Sequence, residues 1–340
     1  MSVEQASYNH EPDQIENYVG KLHAGNAAQV MARWPNSCVD LVITSPPYWT
    51  AVEYAGQPAA WPTYEAYLDE MLSVWVQCAR VLRPNGKLCI NAPVMPIPKD
   101  VIDQHTRHLK NIAFDNEAKI LATTDLERYG LFIWQKQTSK MMFGSYPYPG
   151  NILENNTIEF INVYVKPGKP PKFSQAVKES NKLSRLEWMD LAQQVWFMYP
   201  EDIKREEGHP APFPEKLPAR LMRLYTYGAS ADGFPGEIVL DPFVGTGTTC
   251  VVAKKMKRRW IGIDVNPGYL HYAERRINDS RREEPLLLVG RAKYPNKDEL
   301  IRMTFEEAGT TGAEAVSKHK RKTYGRGVSA SSDDEQPKLV

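Results

Sequence analysis

Apolar and polar positions along the chain predict a repeating strand–helix–strand rhythm. From Val19 the text reads as a strand (YVGKLHAG), then a helix (NAAQVMARWP), then an apolar strand (CVDLVITS), which together make one βαβ unit. Over residues 64–82 the apolar positions Leu68, Met71, Leu72, Trp75, Val76, Ala79 and Leu82 recur at three and four, lining one helix face. Arg83-Pro84-Asn85-Gly86 ends that helix, and residues 87–91 read as the next strand. LFIWQK (131–136) and IEFINVYVK (158–166) are further strand candidates. Residues 167–217 are polar and punctuated by prolines around one helix-like piece, 183–195. Regular patterning then resumes with an amphipathic helix (217–229), a buried strand EIVLD (237–241), a helix (248–258) and a strand WIGID (260–264). Residues 1–16 read as a loose arm, and the small, polar text beyond Thr310 reads as disordered.

Composition narrows the class. With 340 residues, 42% hydrophobic and 24% charged, the chain is globular and large enough for two domains or one large one. Lys plus Arg number 42 against 41 acidic residues, so any nucleic-acid binding must come from a local patch. No apolar run reaches the roughly 18 residues of a membrane-spanning helix, and the polar, acidic N-terminus is unlike a secretory or transit leader. A soluble, cytoplasmic protein is expected. The four cysteines (Cys38, Cys78, Cys89, Cys250) show no CxxC spacing, so buried free thiols are expected rather than a metal site.

Two segments carry candidate chemistry. Asp241-Pro242-Phe243-Val244-Gly245-Thr246-Gly247-Thr248-Thr249 follows an apolar strand and opens a helix. Glycines there let backbone approach a ligand, and the helix start presents N–H groups. Asp264 ends the following strand, where an acid can take the two hydroxyls of a ribose. No Lys stands in the turn, so it is not a P-loop, and GxGxxG is missing. A purely structural turn is the alternative. The second segment, Thr44-Ser45-Pro46-Pro47-Tyr48-Trp49, follows the strand residues Leu41-Val42-Ile43. Its prolines hold an extended backbone and remove two N–H donors. Ser45 Oγ and the Pro46 carbonyl then form a pair of acceptors for an exocyclic –NH2, with Tyr48 as a flat face for a base. A rigid loop whose Tyr and Trp are core is the alternative.

Together and in this order, the two segments resemble the S-adenosylmethionine-dependent amino-methyltransferases of DNA. TSPPYW is similar to their catalytic motif in its Ser form, associated with N4-cytosine, and VLDPFVGTGTT to their cofactor motif. Catalytic motif first and cofactor motif far later is the order of the permuted beta group. Leu22-His23-Ala24-Gly25-Asn26 resembles the family's lead-in, although Asp is commoner than Asn26. The segment from His209 to Leu217 resembles its HPxxKPE segment, with Phe213 in place of a basic residue. The resemblance covers about 19–140 and 207–277. It implies an α/β Rossmann-like fold: a mostly parallel seven-stranded sheet, helices on both faces, a circularly permuted motif order and a smaller target-recognition insertion. The implied division is an arm (1–18), a catalytic half (19–136), a target-recognition region (137–208), a cofactor half (209–308) and a tail (309–340).

The resemblance assigns catalysis to Ser45, Pro46, Pro47 and Tyr48. It assigns S-adenosyl-L-methionine to Asp241, Phe243, Gly245 and Gly247 at its methionine end, Asp264 at the ribose and Asn26 at the adenine side; Phe213 and Lys216 complete the cofactor pocket or simply start a helix. No metal is implied. The implied substrate is double-stranded DNA with the target base flipped out, in a prokaryotic or phage-type, nucleoid-associated setting, with a separately acting restriction endonuclease as a candidate partner and no membrane. Direct attack of the amine on the sulfonium methyl is expected, the proton leaving late to water; no Pro-Cys nucleophile for carbon methylation is present. Adenine-N6 methylation by the same fold, an RNA or protein substrate, and a non-catalytic nucleotide-binding module remain as alternatives. Trp49 and Tyr54 line the pocket or belong to the core.

Overall fold

A computed structural model describes residues 14–49, 61–97, 108–136, 147–150, 156–198 and 213–280. In chain order the elements are β1 (Lys21–Ala24), α1 (Ala27–Met31), β2 (Val39–Thr44), α2 (Tyr64–Val81), β3 (Leu82–Ala92), β4 (Val94–Ile97) and β5 (His108–Asn111). There follow α3 (Ile112–Thr123), β6 (Glu127–Gln135), β7 (Ile158–Val165), α4 (Gln175–Ser180), α5 (Arg185–Leu191) and β8 (Val195–Phe197). The last are α6 (Lys216–Tyr225), β9 (Ile238–Asp241), α7 (Thr248–Lys255), β10 (Arg259–Asp264) and α8 (Pro267–Asp279).

Eight strands form one sheet in the order β1-β10-β9-β2-β3-β7-β6-β8. The five from β1 to β3 are parallel, β7 runs against both β3 and β6, and β8 runs parallel to β6. The fold is therefore the expected mostly parallel α/β sheet, with one strand more. That extra strand, β8, and the central β7 both come from residues 137–208. Strand β7 matches the strand candidate at 158–166, and β8 joins the sheet edge from the stretch that follows it.

All six residues of β2 are buried. Leu41 and Ile43 pack with α6 and α7, whereas Val42 faces the layer of α1, α2 and α3. A strand covered on both faces reads as a near-continuous apolar run, here Leu41-Val42-Ile43 with the buried Asp40 before it. Thr63 caps α2, its hydroxyl accepting from the Ala66 N–H at 3.1 Å. The turn text RPNG does not separate helix from strand but kinks the start of β3. Asn85 has φ 66°, and a Cβ on Gly86 would lie 2.9 Å from the Arg83 carbonyl. Among the elements that differ from the pattern reading, two show why. Helix α3 escapes it because Asn116 and Glu117 are buried within its packed face. Asn116 bonds the Trp75 indole N–H at 2.8 Å, so polarity there is satisfied inside the core. The helix expected at 183–195 is the shorter α5, started by a Ser184–Glu187 capping box. All four cysteines are free and buried.

Candidate active site

The two motifs meet because β9 and β2 are sheet neighbours, with Leu41 opposite Val239 and Val42 opposite Leu240. Both strands end on the same side of the sheet, the side where open α/β sheets bind ligands. Asp241, 1% exposed, joins them. Its Oδ1 accepts from Thr44 Oγ1 at 2.7 Å and from the Phe243 N–H at 3.1 Å, and its Oδ2 accepts from Thr249 Oγ1 at 2.6 Å. Burial raises its pKa to about 6, and the hydroxyl donors Thr249 and Thr44 limit the rise. Both oxygens of the acid that the resemblance assigns to the methionine end are thus engaged by the chain itself. Asp241 ties the catalytic segment to the cofactor turn.

The turn continues through Gly245 (φ 48°) and Gly247 (φ 86°). A Cβ on Gly247 would stand 2.8 Å from the Ala273 Cβ, so this glycine is demanded by α8 as much as by any ligand. Gly247 opens α7 with no side-chain cap. Asp264 Oδ2 accepts from the Gly245 N–H and Oδ1 from the Asn266 N–H, both at 2.9 Å. Burial raises the Asp264 pKa, opposed by these backbone donors. One strand further, Ala24 pairs with Asp264, and Asn26 caps α1, its Oδ1 accepting from Ala28 N at 3.0 Å and Gln29 N at 3.3 Å. The Phe243 ring meets Trp75 edge-on at 6.0 Å. Asn26, Asp264, Gly245, Gly247, Asp241 and Phe243 therefore follow one another along the ends of β1, β10 and β9. Phe213 and Lys216 stand at the start of α6, on the sheet face of Leu41 and Ile43. Residues 209–212 and Tyr54 lie outside the described residues.

On the other side of Asp241, Ser45 Oγ donates to the Asn91 carbonyl at 3.0 Å and lies 2.7 Å from the Tyr48 hydroxyl. Tyr48 donates to Glu159 Oε2 at 3.3 Å, Asn91 Nδ2 donates to the same oxygen at 2.6 Å, and Lys136 Nζ meets Glu159 Oε1 at 2.5 Å. Asn91 and Glu159 are buried. Sequence reading missed this trio, because each is a single polar residue at the end of a different apolar strand (β3, β7) or just beyond one (β6). Pro46 and Pro47 are buried. The Tyr48 ring is 6% exposed, so a base can stack on it only if neighbouring side chains move aside. Trp49 belongs to the core, its indole N–H donating to the Trp61 carbonyl at 3.3 Å. Among the cations of 137–208, Lys166 is spent on the Ala79 and Arg80 carbonyls, whereas Leu186, Trp188 and Met189 of α5 are exposed.

The site thus offers two adjoining chemistries. Asp264 accepts one backbone N–H on each oxygen and retains lone pairs for a diol, beside an uncapped helix start and an aromatic edge. That donor set fits an adenosyl amino-acid cofactor, and Asp241 Oδ2, with a single hydroxyl donor, likewise retains a lone pair. Ser45 and its buried polar partners form a separate cluster suited to an amine.

A family model for DNA methylases of the N6/N4 type matches residues 39–275. M.MjaI, a type II methyltransferase of Methanocaldococcus jannaschii, is 28% identical over 295 residues, covering 74% of this chain and 88% of that protein. The DNA adenine methyltransferase YhdJ of Escherichia coli K12 is 26% identical over 306 residues, covering 86% and 95%. The crystal structure of a putative DNA modification methylase from Thermus thermophilus, complexed with S-adenosyl-L-methionine, matches with a TM-score of 0.60 at 32% identity, covering 75% of this chain and 93% of that one.

Proposed function

The chain belongs to the N6/N4 DNA methylase family, and from that premise we propose that it methylates the exocyclic N4 of a flipped cytosine in DNA, as the modification enzyme of a restriction–modification system. The observation that carries the base assignment is Ser45, a neutral hydroxyl at the strand end, held by Asn91 and Tyr48 beside the buried Asp241. S-adenosyl-L-methionine is the cofactor and supplies an electrophilic methyl group. Asp264 binds its ribose hydroxyls, Asn26 lies toward its adenine, and Phe243 with the Gly245–Gly247 turn forms the wall beside its amino-acid end. Phe213 and Lys216 complete the cofactor pocket.

The amine of cytosine is a weak nucleophile because its lone pair is delocalised into the ring. Ser45 Oγ and the Pro46 carbonyl accept its two N–H bonds and favour a pyramidal nitrogen. Orientation supplies much of the acceleration, since well-placed groups reach effective molarities of about 10⁵–10⁸ M. Extruding the base costs a few kcal/mol, which contacts with Tyr48 partly offset.

Labelled S-adenosylmethionine, unmethylated genomic DNA and mass spectrometry of the digested nucleosides test the reading. N4-methylcytosine is expected, with Ser45→Ala slower by on the order of 100-fold, the size typical for loss of one positioned polar group. Adenine-N6 methylation is the second reading, favoured by the likeness to YhdJ; N6-methyladenine as the product would establish it. No methylated nucleoside at all, with cofactor binding intact, would overturn both.

A further inference from the structure

We infer that Glu159 is the terminal acceptor of a hydroxyl relay, running from Ser45 through Tyr48, that takes the proton released by the methylated amine. The inference rests on the reading of Ser45 as the group that faces that amine. Ser45 Oγ is 2.7 Å from the Tyr48 hydroxyl, and Tyr48 donates to Glu159 Oε2 at 3.3 Å. Each hydroxyl has one hydrogen and two lone pairs. The Ser45 hydrogen rests on the Asn91 carbonyl; when it rotates to Tyr48 while Tyr48 donates to the carboxylate, Ser45 Oγ offers its lone pairs to an incoming N–H.

The setting of Glu159 points to use rather than support. It is 6% exposed at the edge of the site, faced by Tyr48 from the segment after β2, Asn91 from β3 and Lys136 from the end of β6. A buried ion pair adds little stability over apolar residues of the same volume, so its presence in a core strand calls for another role. Asn91 adds a second sign. While its Nδ2 holds Glu159, its Oδ1 is buried with no hydrogen-bond partner among the described residues, which folded chains rarely tolerate without a function.

The proton count closes. The amine nitrogen bonds the methyl carbon, the S–C bond breaks and its electron pair stays on sulfur. The nitrogen is then positive, and its N–H is acidic enough for a carboxylate paired with Lys136 to accept. The N–H proton passes to Ser45 Oγ, the Ser45 hydrogen to Tyr48 and the Tyr48 hydrogen to Glu159. A neutral secondary amine, two restored hydroxyls and a neutral carboxyl group remain. The aminium and carboxylate charges vanish together, and the Lys136 ammonium, which loses its counter-ion, is partly exposed and keeps its charge toward solvent.

Glu159→Gln keeps the shape of the side chain and cannot take the proton. It is expected to bind S-adenosylmethionine and target DNA as the wild type does, while single-turnover methylation at neutral pH falls on the order of 100-fold, within the range of acid–base catalysis. Raising the pH restores part of that rate as hydroxide replaces the relay, and Glu159→Asp recovers part of it at neutral pH. Tyr48→Phe cuts the relay between intact ends and gives a loss of similar size, and the double variant loses no more than either alone. A wild-type rate and pH profile in Glu159→Gln would overturn the relay. Should that variant not fold, Tyr48→Phe decides alone, and wild-type speed there would overturn it too. A wild-type enzyme that methylates no DNA base would instead overturn the reading of Ser45.

Discussion

Glu237, just before β9, is a buried acid that the site does not use. Its Oε2 accepts from the Tyr227 N–H at 2.7 Å, and burial, reinforced by the charge of Asp40, raises its pKa to about 7 from an ordinary 4.5. The unfolded chain therefore loses this proton first. Stability is fullest below about pH 4.5, falls as the pH climbs toward 7 and is flat above. Glu237→Gln removes that slope. Urea unfolding is expected to show a gain of about 2 kcal/mol for the variant at pH 8 and little difference near pH 4.5. Asp241, with its pKa raised to about 6, leaves a smaller slope of the same sign in both proteins. An unchanged slope in the variant would place the proton elsewhere.

Where α7 and α8 pack around the cofactor turn, Gly247 satisfies two demands at once: a left-handed backbone (φ 86°) and room for Ala273, whose Cβ would lie 2.8 Å from any Cβ placed on Gly247. Gly247→Ala is expected to lower stability by about 2 kcal/mol, combining backbone strain with overpacking, and to weaken S-adenosylmethionine binding. Adding Ala273→Gly relieves only the contact, so thermal melts should show partial recovery; full recovery would mean the backbone carries no strain. Elements were legible in the sequence where a face was uniformly apolar, as in β2, β9 and α2. Helix α3 was hidden by its buried Asn116 and Glu117, and β8, three residues long, is too short to carry a period. The same logic divides the site. Ser45 to Tyr48 and Asp241 to Gly247 are contiguous words at strand ends, readable as such. Asn91, Glu159 and Lys136 converge from β3, β7 and β6, and only the strand order brings them together.

At the scale of the whole sheet, the two halves of the site depend on a parallel pairing between segments far apart in the chain. Hydrogen exchange is expected to show the amides of β2 and β9 opening together, and gaining protection together when S-adenosylmethionine binds. At a hundredfold excess over Kd the ligand adds about 2.7 kcal/mol to any opening that disrupts its site. Protection confined to β9 would mean that the halves are energetically separate.

The bond from Thr44 to Asp241 spans 197 residues, and this distance becomes a waiting time on the ribosome. At about 5–20 residues per second, β2 emerges roughly 10–40 s before the strand that covers its edge. Through that interval a strand destined for full burial offers unpaired backbone to any other chain nearby. The motif order therefore leaves the β2 edge open until β9 is made, and no chain that stops short of β9 holds both halves of the site.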